Sequence, residues 1–385
     1  MSERKFGSLF LLVGSNPLPN YLAALVLRPR AVTLFYSPET EEVKNLLRQK
    51  LTTALTNVNV KETCIDDVTD AAKVRAAFRS IPASTHHLHY TGGTKIMAAH
   101  ARMAFRDAGG KDQQASYLDE RKGLLRFDDG SNIDLLEQQI SVTVDDFLAL
   151  HGITRHHPDP PSLDHPTEDD AGRIAQAVIR NPAVARELYA IHRDKSNKRV
   201  TLEKAKGVPV LLEELVPDLK RQIPEAHWDK DTFEKWLRFL CGEWMDVWCG
   251  ALLRQIVDGS EIIVDLNCTL ANGRKCQIDV ALVRSHRLYV VSCTTDTSLG
   301  ICKSKLFEVA MRARQLGGDL ARSALVCLLH GSDSNGAYVD QLRNDVADVW
   351  KAPNTPRVFG HDNLMEWLGV NSPPNLNSLR NWLDS

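Results

Sequence analysis

The sequence predicts an α/β protein in two unlike parts, an N-terminal Rossmann-like domain and a C-terminal α/β sandwich of different strand order. Three observations predict it. Over residues 1–150, short apolar strands alternate with amphipathic helices, the pattern of a parallel sheet covered on both faces. The stretch TRHHPDPPSLDHPTEDD, Thr154 to Asp170, then breaks the alternation with prolines and acids. Beyond Trp228 the order becomes a long helix, three closely spaced strands, a helix and another strand. At 385 residues the chain also exceeds the roughly 100–200 residues of one ordinary domain.

The elements follow in order. FGSLFLLVG is a strand entering a loop, PLPNYLAALVLRP a helix, and AVTLFYS a strand. ETEEVKNLLRQKLTTAL carries apolar residues at helical spacing, and NVNVKETCI is the next strand. DAAKVRAAFRSI is a helix, HHLHYTGG a strand with its turn, and TKIMAAHARMAFRDAG a helix. QASYLDERKGLLRFDDGSNIDL reads as a β-meander. The expected divisions are residues 1–150, a linker over 151–170, a helical connecting segment over 171–227, and a second α/β domain over 228–385. The connecting segment includes a basic run from Arg193 to Lys206, read as a solvated helix face unless it flanks a nucleic-acid cleft. In the last part DTFEKWLRFLCGEWMDVWCGALLRQI is helical; EIIVDLNCTL, QIDVALVRS and RLYVVSCTT are strands. KSKLFEVAMRARQLGG is a helix ended by glycines, and ALVCLLH is a strand.

Composition narrows the class. Hydrophobic content of 43% and charged content of 25% are those of a globular protein. No run approaches the ~18 apolar residues that span a bilayer, and LFLLVG reads as a buried strand rather than a signal peptide. A formal charge of −2 gives no global case for nucleic-acid binding, which would need local basic patches. The eight cysteines form no C-x-x-C pair, which argues against structural zinc and for reduced thiols in a cytoplasmic protein. Trp236, Trp244 and Trp248 share one helical face and read as core, and His86, His87 and His89 read as ordinary strand residues.

Within HYTGGTKIM, two glycines end a strand and a helix follows. Glycines let a ligand approach the backbone, and the helix start offers free N–H groups and the positive end of its dipole. Thr94 and Lys95 add a hydroxyl and a cation, so an anion such as phosphate is the natural guest. The spacing fits neither a Walker loop nor G-x-G-x-x-G. VGSNPLPN and YSPET end the first two strands with similarly small or polar residues. The alternative is that GG is only a tight connection and the hydroxyls cap helices.

VGSNPLPN, LFYSPET and HYTGGTKIM, in that order over residues 5–150, resemble the CARF domain, the CRISPR-associated Rossmann fold. The resemblance implies binding of a cyclic oligoadenylate, most often cyclic tetra-adenylate, on the two-fold axis of a homodimer. Carried over, Gly14, Ser15, Asn16, Ser37, Thr40, Thr91, Gly92, Gly93, Thr94 and Lys95 become the ring-binding candidates. The segments LCGEWMDVW, QIDVALV, RLYVVSCTT and KLFEVAMRARQLGG are similar to the PD-(D/E)XK nuclease fold of CRISPR ancillary nucleases. This implies a ring-activated nuclease that cuts DNA, RNA or both.

Such a nuclease holds Mg²⁺ or Mn²⁺ on acids, with a lysine near the attacking water. The resemblance places Asp246 and Asp279 as the metal ligands, with Glu243 three residues before Asp246 on the same helix face. Asp279, between Ile278 and Val280, is either a ligand in a cleft or an edge charge facing solvent. The usual E-x-K of the next strand is absent, because Ser292 and Thr294 stand at its charged positions. Three explanations follow. The charges have migrated to the next helix, where Lys303, Lys305 and Glu308 lie; or Ser292 is tolerated beside a helix lysine; or the site does not cut. The catalytic candidates are Asp246, Asp279, Lys305 and Glu308. The alternative function is a nuclease-inactive sensor whose C-terminal domain binds nucleic acid or a partner.

Overall fold

The computed structural model describes residues 7–79, 85–138, 140–157, 166–186, 235–236, 238–330, 338–351 and 354–385. Most of the expected connecting segment, with its basic run from Arg193 to Lys206, lies outside the described residues. Two sheets organise the chain. The first has the order β3-β2-β1-β4-β5-β6-β7, from β1 (Ser8–Leu12), β2 (Ala31–Tyr36), β3 (Asn59–Cys64), β4 (His86–His89), β5 (Ala115–Asp119), β6 (Leu124–Phe127) and β7 (Asn132–Asp134). β3, β2, β1, β4 and β5 pair in parallel, whereas β5, β6 and β7 form an antiparallel meander. The helices α1 (Leu18–Leu27), α2 (Glu41–Ala54), α3 (Ala71–Phe78) and α4 (Lys95–Asp107) make the crossovers. This is the Rossmann-like layout that the alternation predicts.

Burial on both faces explains the strand composition. Leu9, Leu11, Val32 and Leu34 enter one core, while Phe10, Leu12, Phe35 and Leu88 enter another beneath α3 and α4. Phe10, Phe35 and Phe78 meet in edge and stacked contacts, with centroids 4.3–6.2 Å apart. His87 and His89 are fully buried, and both imidazoles reach the Ser116 hydroxyl, at 2.7 and 3.1 Å. Burial pushes each of them down to about 3, so both are neutral in the folded chain.

The second sheet has the order β13-β12-β11-β10-β9-β8. Its strands are β8 (Thr154–His156), β9 (Ile262–Thr269), β10 (Lys275–Arg284), β11 (Arg287–Thr294), β12 (Arg322–Cys327) and β13 (Arg357–Phe359). β8 through β11 are antiparallel, and β11 through β13 parallel. Helices follow in chain order: α5 (Val144–Leu150), α6 (Glu168–Arg180), α7 (Trp244–Arg254), α8 (Leu299–Gly317), α9 (Tyr338–Trp350), α10 (His361–Leu368) and α11 (Asn377–Leu383). α7 covers one face of the sheet and α8 the other. Trp236, Trp244 and Trp248 are buried in the core under α7, as their spacing predicts. Among the described residues no helix is long and apolar enough to cross a membrane.

Two features depart from the expected divisions. Thr154–His156, expected inside the linker, is an edge strand of the second sheet, with His156 Nε2 2.6 Å from Thr269 Oγ1. α6, expected to straddle linker and connecting segment, packs Ile174, Val178 and Ile179 into the same core as Trp244. Its start is fixed by a capping box in which Thr167 Oγ1 accepts from Asp170 N and the Asp170 carboxylate accepts from Thr167 N.

Candidate functional site

Two constellations carry chemistry. The first lies at the carboxyl ends of β1 and β4. These strands are neighbours, but the chain leaves β1 toward β2 and leaves β4 toward β5, so a crevice opens between the two exits. The glycines there are required by space. A Cβ on Gly92 would lie 1.9 Å from Leu12 O, and one on Gly14 would lie 2.7 Å from Gly93 N. Gly93 also has φ +75°, the left-handed region that glycine adopts without strain. The loops after β1 and β4 are thus in backbone contact, and the α4 N-terminus emerges beside them.

The predicted polar residues divide. Lys95 begins α4 and is exposed, as is Ser15 on the β1 loop. Asn16 Oδ1 accepts from Leu18 N at 3.0 Å. Thr94 Oγ1 caps α4 by accepting from Met97 N at 3.1 Å, and Thr91 Oγ1 accepts from Leu118 N at 2.6 Å. Ser37 and Thr40 bond each other: Ser37 N donates to Thr40 Oγ1 at 3.0 Å, and Thr40 Oγ1 donates to Ser37 O at 3.2 Å. Helix capping is therefore a real occupation of Thr94, Ser37 and Thr40. Asn20 escaped the sequence reading. It is fully buried beneath the crevice, its Nδ2 donates to Leu12 O at 2.8 Å, and its Oδ1 has no partner among the described residues. The available signal was a carboxamide on an otherwise apolar helix.

The second constellation sits where β10 and β11 part. Their ladder runs from Arg284–Arg287 to Val280–Val291 and stops. Past that point the Asp279 side chain takes over: its Oδ2 accepts from Cys293 N at 2.8 Å and from Ser292 Oγ at 2.9 Å. The fork opens a cavity of about 270 Å³ lined by Lys275, Gln277, Asp279, Ser292, Lys305, Glu308 and Arg312, among others. Asp279 therefore faces a cleft rather than open solvent. From α8, Lys305 Nζ donates to Cys293 O at 3.4 Å, which brings its ammonium to the strand position beside uncharged Thr294.

Asp246 approaches from the α7 side and is only 8% exposed. Burial, and then the neighbouring Asp279 charge, hold its carboxyl well above the usual carboxylate range; Cys293 and Lys305 pull the other way. The remaining candidates sort themselves. Glu308 does not pair with Lys305; its Oε1 accepts from Arg312 Nη2 at 2.7 Å and Nε at 3.2 Å. A carboxylate four residues before an arginine is the favoured helical order, and the guanidinium fork fits it. Lys303 turns away to Asp345, 2.7 Å distant. Glu243 is half-buried, its carboxyl raised by burial.

Two neighbouring carboxylates, one held toward protonation by burial and then by the other's charge, suit a hard divalent cation with oxygen ligands. Among the described residues no group of three or more His, Cys, Asp or Glu side chains is arranged to hold a metal; Asp279 and Glu308 line the fork's cavity, and Asp246 lies near enough to feel the Asp279 charge. Mg²⁺ is commonly held by one or two carboxylates, with water and substrate phosphate completing its shell.

No protein-family model matches the sequence, and no curated protein matches it. Solved structures do share its fold. Can2 from Sulfobacillus thermosulfidooxidans, solved in complex with cyclic tetra-adenylate, superposes with TM-score 0.71 at 17% identity, over 98% of this chain and 100% of that one. Protein VC1899 from Vibrio cholerae gives TM-score 0.68 at 16% identity, over 98% of each chain. A type III CRISPR defence DNA nuclease activated by cyclic oligoadenylate gives 0.52 at 19%, over 85% of this chain and 46% of that one. At these identities the likeness establishes a common fold, which for the first two runs along almost the entire chain.

Proposed function

We propose that this chain is a cyclic-oligoadenylate-activated, metal-dependent nuclease of type III CRISPR defence, working as a homodimer on DNA, RNA or both. The observation that carries the reading is the fork. Asp279, Ser292 and the Lys305 ammonium line one cavity and Asp246 lies near Asp279, which supports α8 as the source of the cation missing from β11. The sensing half is supported by the crevice between β1 and β4 and by the fold shared with a protein solved with cyclic tetra-adenylate. Backbone N–H groups of the Gly14–Asn16 and Gly92–Thr94 loops, with Lys95, suit the phosphates of such a ring. A homodimer suits the exposed apolar residues Ile96 and Met103, seven apart on one face of α4 beside Lys95. The division into a sensing domain over 1–150 and a nuclease domain over 228–385 is part of the same reading.

Asp246 and Asp279 would hold Mg²⁺ or Mn²⁺, which lowers the pKa of bound water and offsets charge on a phosphate. The chain's own groups do the rest. Ser292 and Cys293 N–H fix the Asp279 carboxylate, and the Lys305 ammonium offsets charge on a phosphate oxygen and orients the attacking water. Glu308 acts through Arg312, holding its guanidinium at the cavity wall, where it can bind a flanking phosphate.

One observation favours the second reading, a ring sensor that binds nucleic acid or a partner without cutting: no third carboxylate among the described residues joins Asp246 and Asp279. Incubation with Mn²⁺, cyclic tetra-adenylate and supercoiled plasmid or single-stranded RNA separates the two. Ring-dependent cleavage is expected. Ring binding with no cleavage under any ring size leaves the sensor.

A further inference from the structure

The linker and connecting segment between the two halves fall largely on residues outside those described. A direct route is present. The β1 loop, which carries Ser15 and Asn16, abuts the end of α8, the helix that carries Lys305, Glu308 and Arg312. A Cβ on Gly318 would lie 2.4 Å from Asn16 Nδ2 and 3.4 Å from Glu120 Oε2. Gly318 has φ +60° and ψ −146°, a conformation that glycine alone adopts readily. The next residue donates its backbone N–H to Glu120 Oε2 at 3.1 Å. Glu120 belongs to the turn between β5 and β6, on the first sheet.

Each side of this contact is fixed. Asn16 Oδ1 is committed to Leu18 N, which aims the amide nitrogen outward at Gly318. On the other side, a Cβ on Gly317 would lie 2.8 Å from Ala321 Cβ and 3.4 Å from Leu288 Cβ, so the end of α8 is wedged against β11 and β12. Arg314 pairs with Asp319 at 3.3 Å across the same turn. From Gly317 back to Lys305 is twelve residues of continuous helix, about 18 Å of rigid rod.

We infer that Asn16 is a positioning residue for the cavity: packed on Gly318 beside the Glu120–Asp319 bond, it helps set the placement of α8, and with it Lys305 and Arg312. The coupling of α8 to a ring rests on the proposed function, whereas the mechanical contact stands on its own geometry. A ring seated against the β1 loop shifts Asn16, and α8 moves as one body. A ligand biases such an element only by differing in affinity for its two positions, so the coupling runs in both directions.

Hydrogen exchange of residues 299–317 tests this in two arms. Without ring, Glu120→Ala is expected to speed exchange at the C-terminal turns of α8 by about fivefold, the yield of one lost hydrogen bond, and Asn16→Ala, which empties a packing contact on Gly318, by about twofold. Arg121→Ala, exposed on the same turn as Glu120, is expected to leave it unchanged. Unchanged exchange in either Asn16→Ala or Glu120→Ala overturns the inference, whatever the ring does. With cyclic tetra-adenylate, wild type is expected to change α8 exchange, and Glu120→Ala to bind the ring equally while losing that response. An undiminished α8 response in Glu120→Ala also overturns it. Absence of ring binding to wild type overturns the proposed function instead, and the ring-free arm then decides the contact alone.

Discussion

Replacing Asp279 by Asn and by Ala separates the structural from the chemical work of the fork. In the folded chain Asp279 Oδ2 accepts two hydrogen bonds, from Cys293 N at 2.8 Å and Ser292 Oγ at 2.9 Å. Asn keeps the shape and one acceptor oxygen, so the Cys293 N–H stays paired and the serine hydroxyl can turn. Two charge-assisted bonds become neutral ones, while the neighbouring buried Asp246 is relieved of a like charge. The net stability loss is about 1 kcal/mol or less. Ala removes both acceptors and leaves the N–H of buried Cys293 unpaired, for a loss of about 2–4 kcal/mol. Urea melts followed by far-UV circular dichroism give both values. Cleavage follows a different rule, because both variants remove the charge. Each is expected to cut at least about 10²–10³-fold more slowly, equivalent to ~3–4 kcal/mol of transition-state stabilisation. Plasmid cleavage with Mn²⁺ and cyclic tetra-adenylate reads this, with ring binding unchanged. An Asp279→Asn variant that cuts at the wild-type rate would refute the metal role, and equal stability of the two variants would refute the hydrogen-bond account.

Three further outcomes follow from other contacts. Lys305→Ala is expected to slow cleavage by about 10²-fold with ring affinity unchanged, and Lys305→Arg to recover part of it; equal rates for wild type and Ala would return the lysine to a plain surface role. Gly92→Ala drives a methyl into Leu12 O and the buried Asn20 amide, and is expected to cost about 2–4 kcal/mol in a thermal or urea melt; a loss under about 1 kcal/mol contradicts the packing. His87 and His89 are pushed down to about 3 by burial, so the unfolded chain takes up their protons first, near pH 6.5. Their contribution is complete above pH 6.5 and declines as pH falls from there toward 3. By about pH 5 the decline is about 2 kcal/mol for each, and it should be absent from the His87→Gln, His89→Gln double variant.

Features written in local chemistry were legible in the sequence, and features made by tertiary meeting were not. Alternating strands and helices specify the first sheet because each element buries a face of its own. The glycines at 92 and 93 were legible as a place of close approach, although the sequence pointed to a ligand there and the structure brings in the β1 loop, with Leu12 O and Gly14 against them. Thr154–His156 and Arg357–Phe359 were not, since three-residue strands carry no period and owe their existence to a neighbouring edge. The reach of Lys305 to Cys293 was open to conjecture, because a charge missing from one strand invites a search on the next helix. The pairing of Glu308 with Arg312 was available as an i, i+4 pair, yet the i, i+3 spacing to Lys305 concealed it. The contact of Asn16 with Gly318 joins positions about three hundred residues apart, and no local pattern announces it.

The central claim is that the crevice between β1 and β4 holds a polyanionic nucleotide ring. Isothermal titration of cyclic tetra-adenylate into wild type and Lys95→Ala measures it most directly. The account predicts one ring per two chains and an affinity weakened about 10–100-fold by loss of the two symmetry-related ammonium groups. No heat of binding to wild type for any ring size, or full affinity in Lys95→Ala, would contradict it.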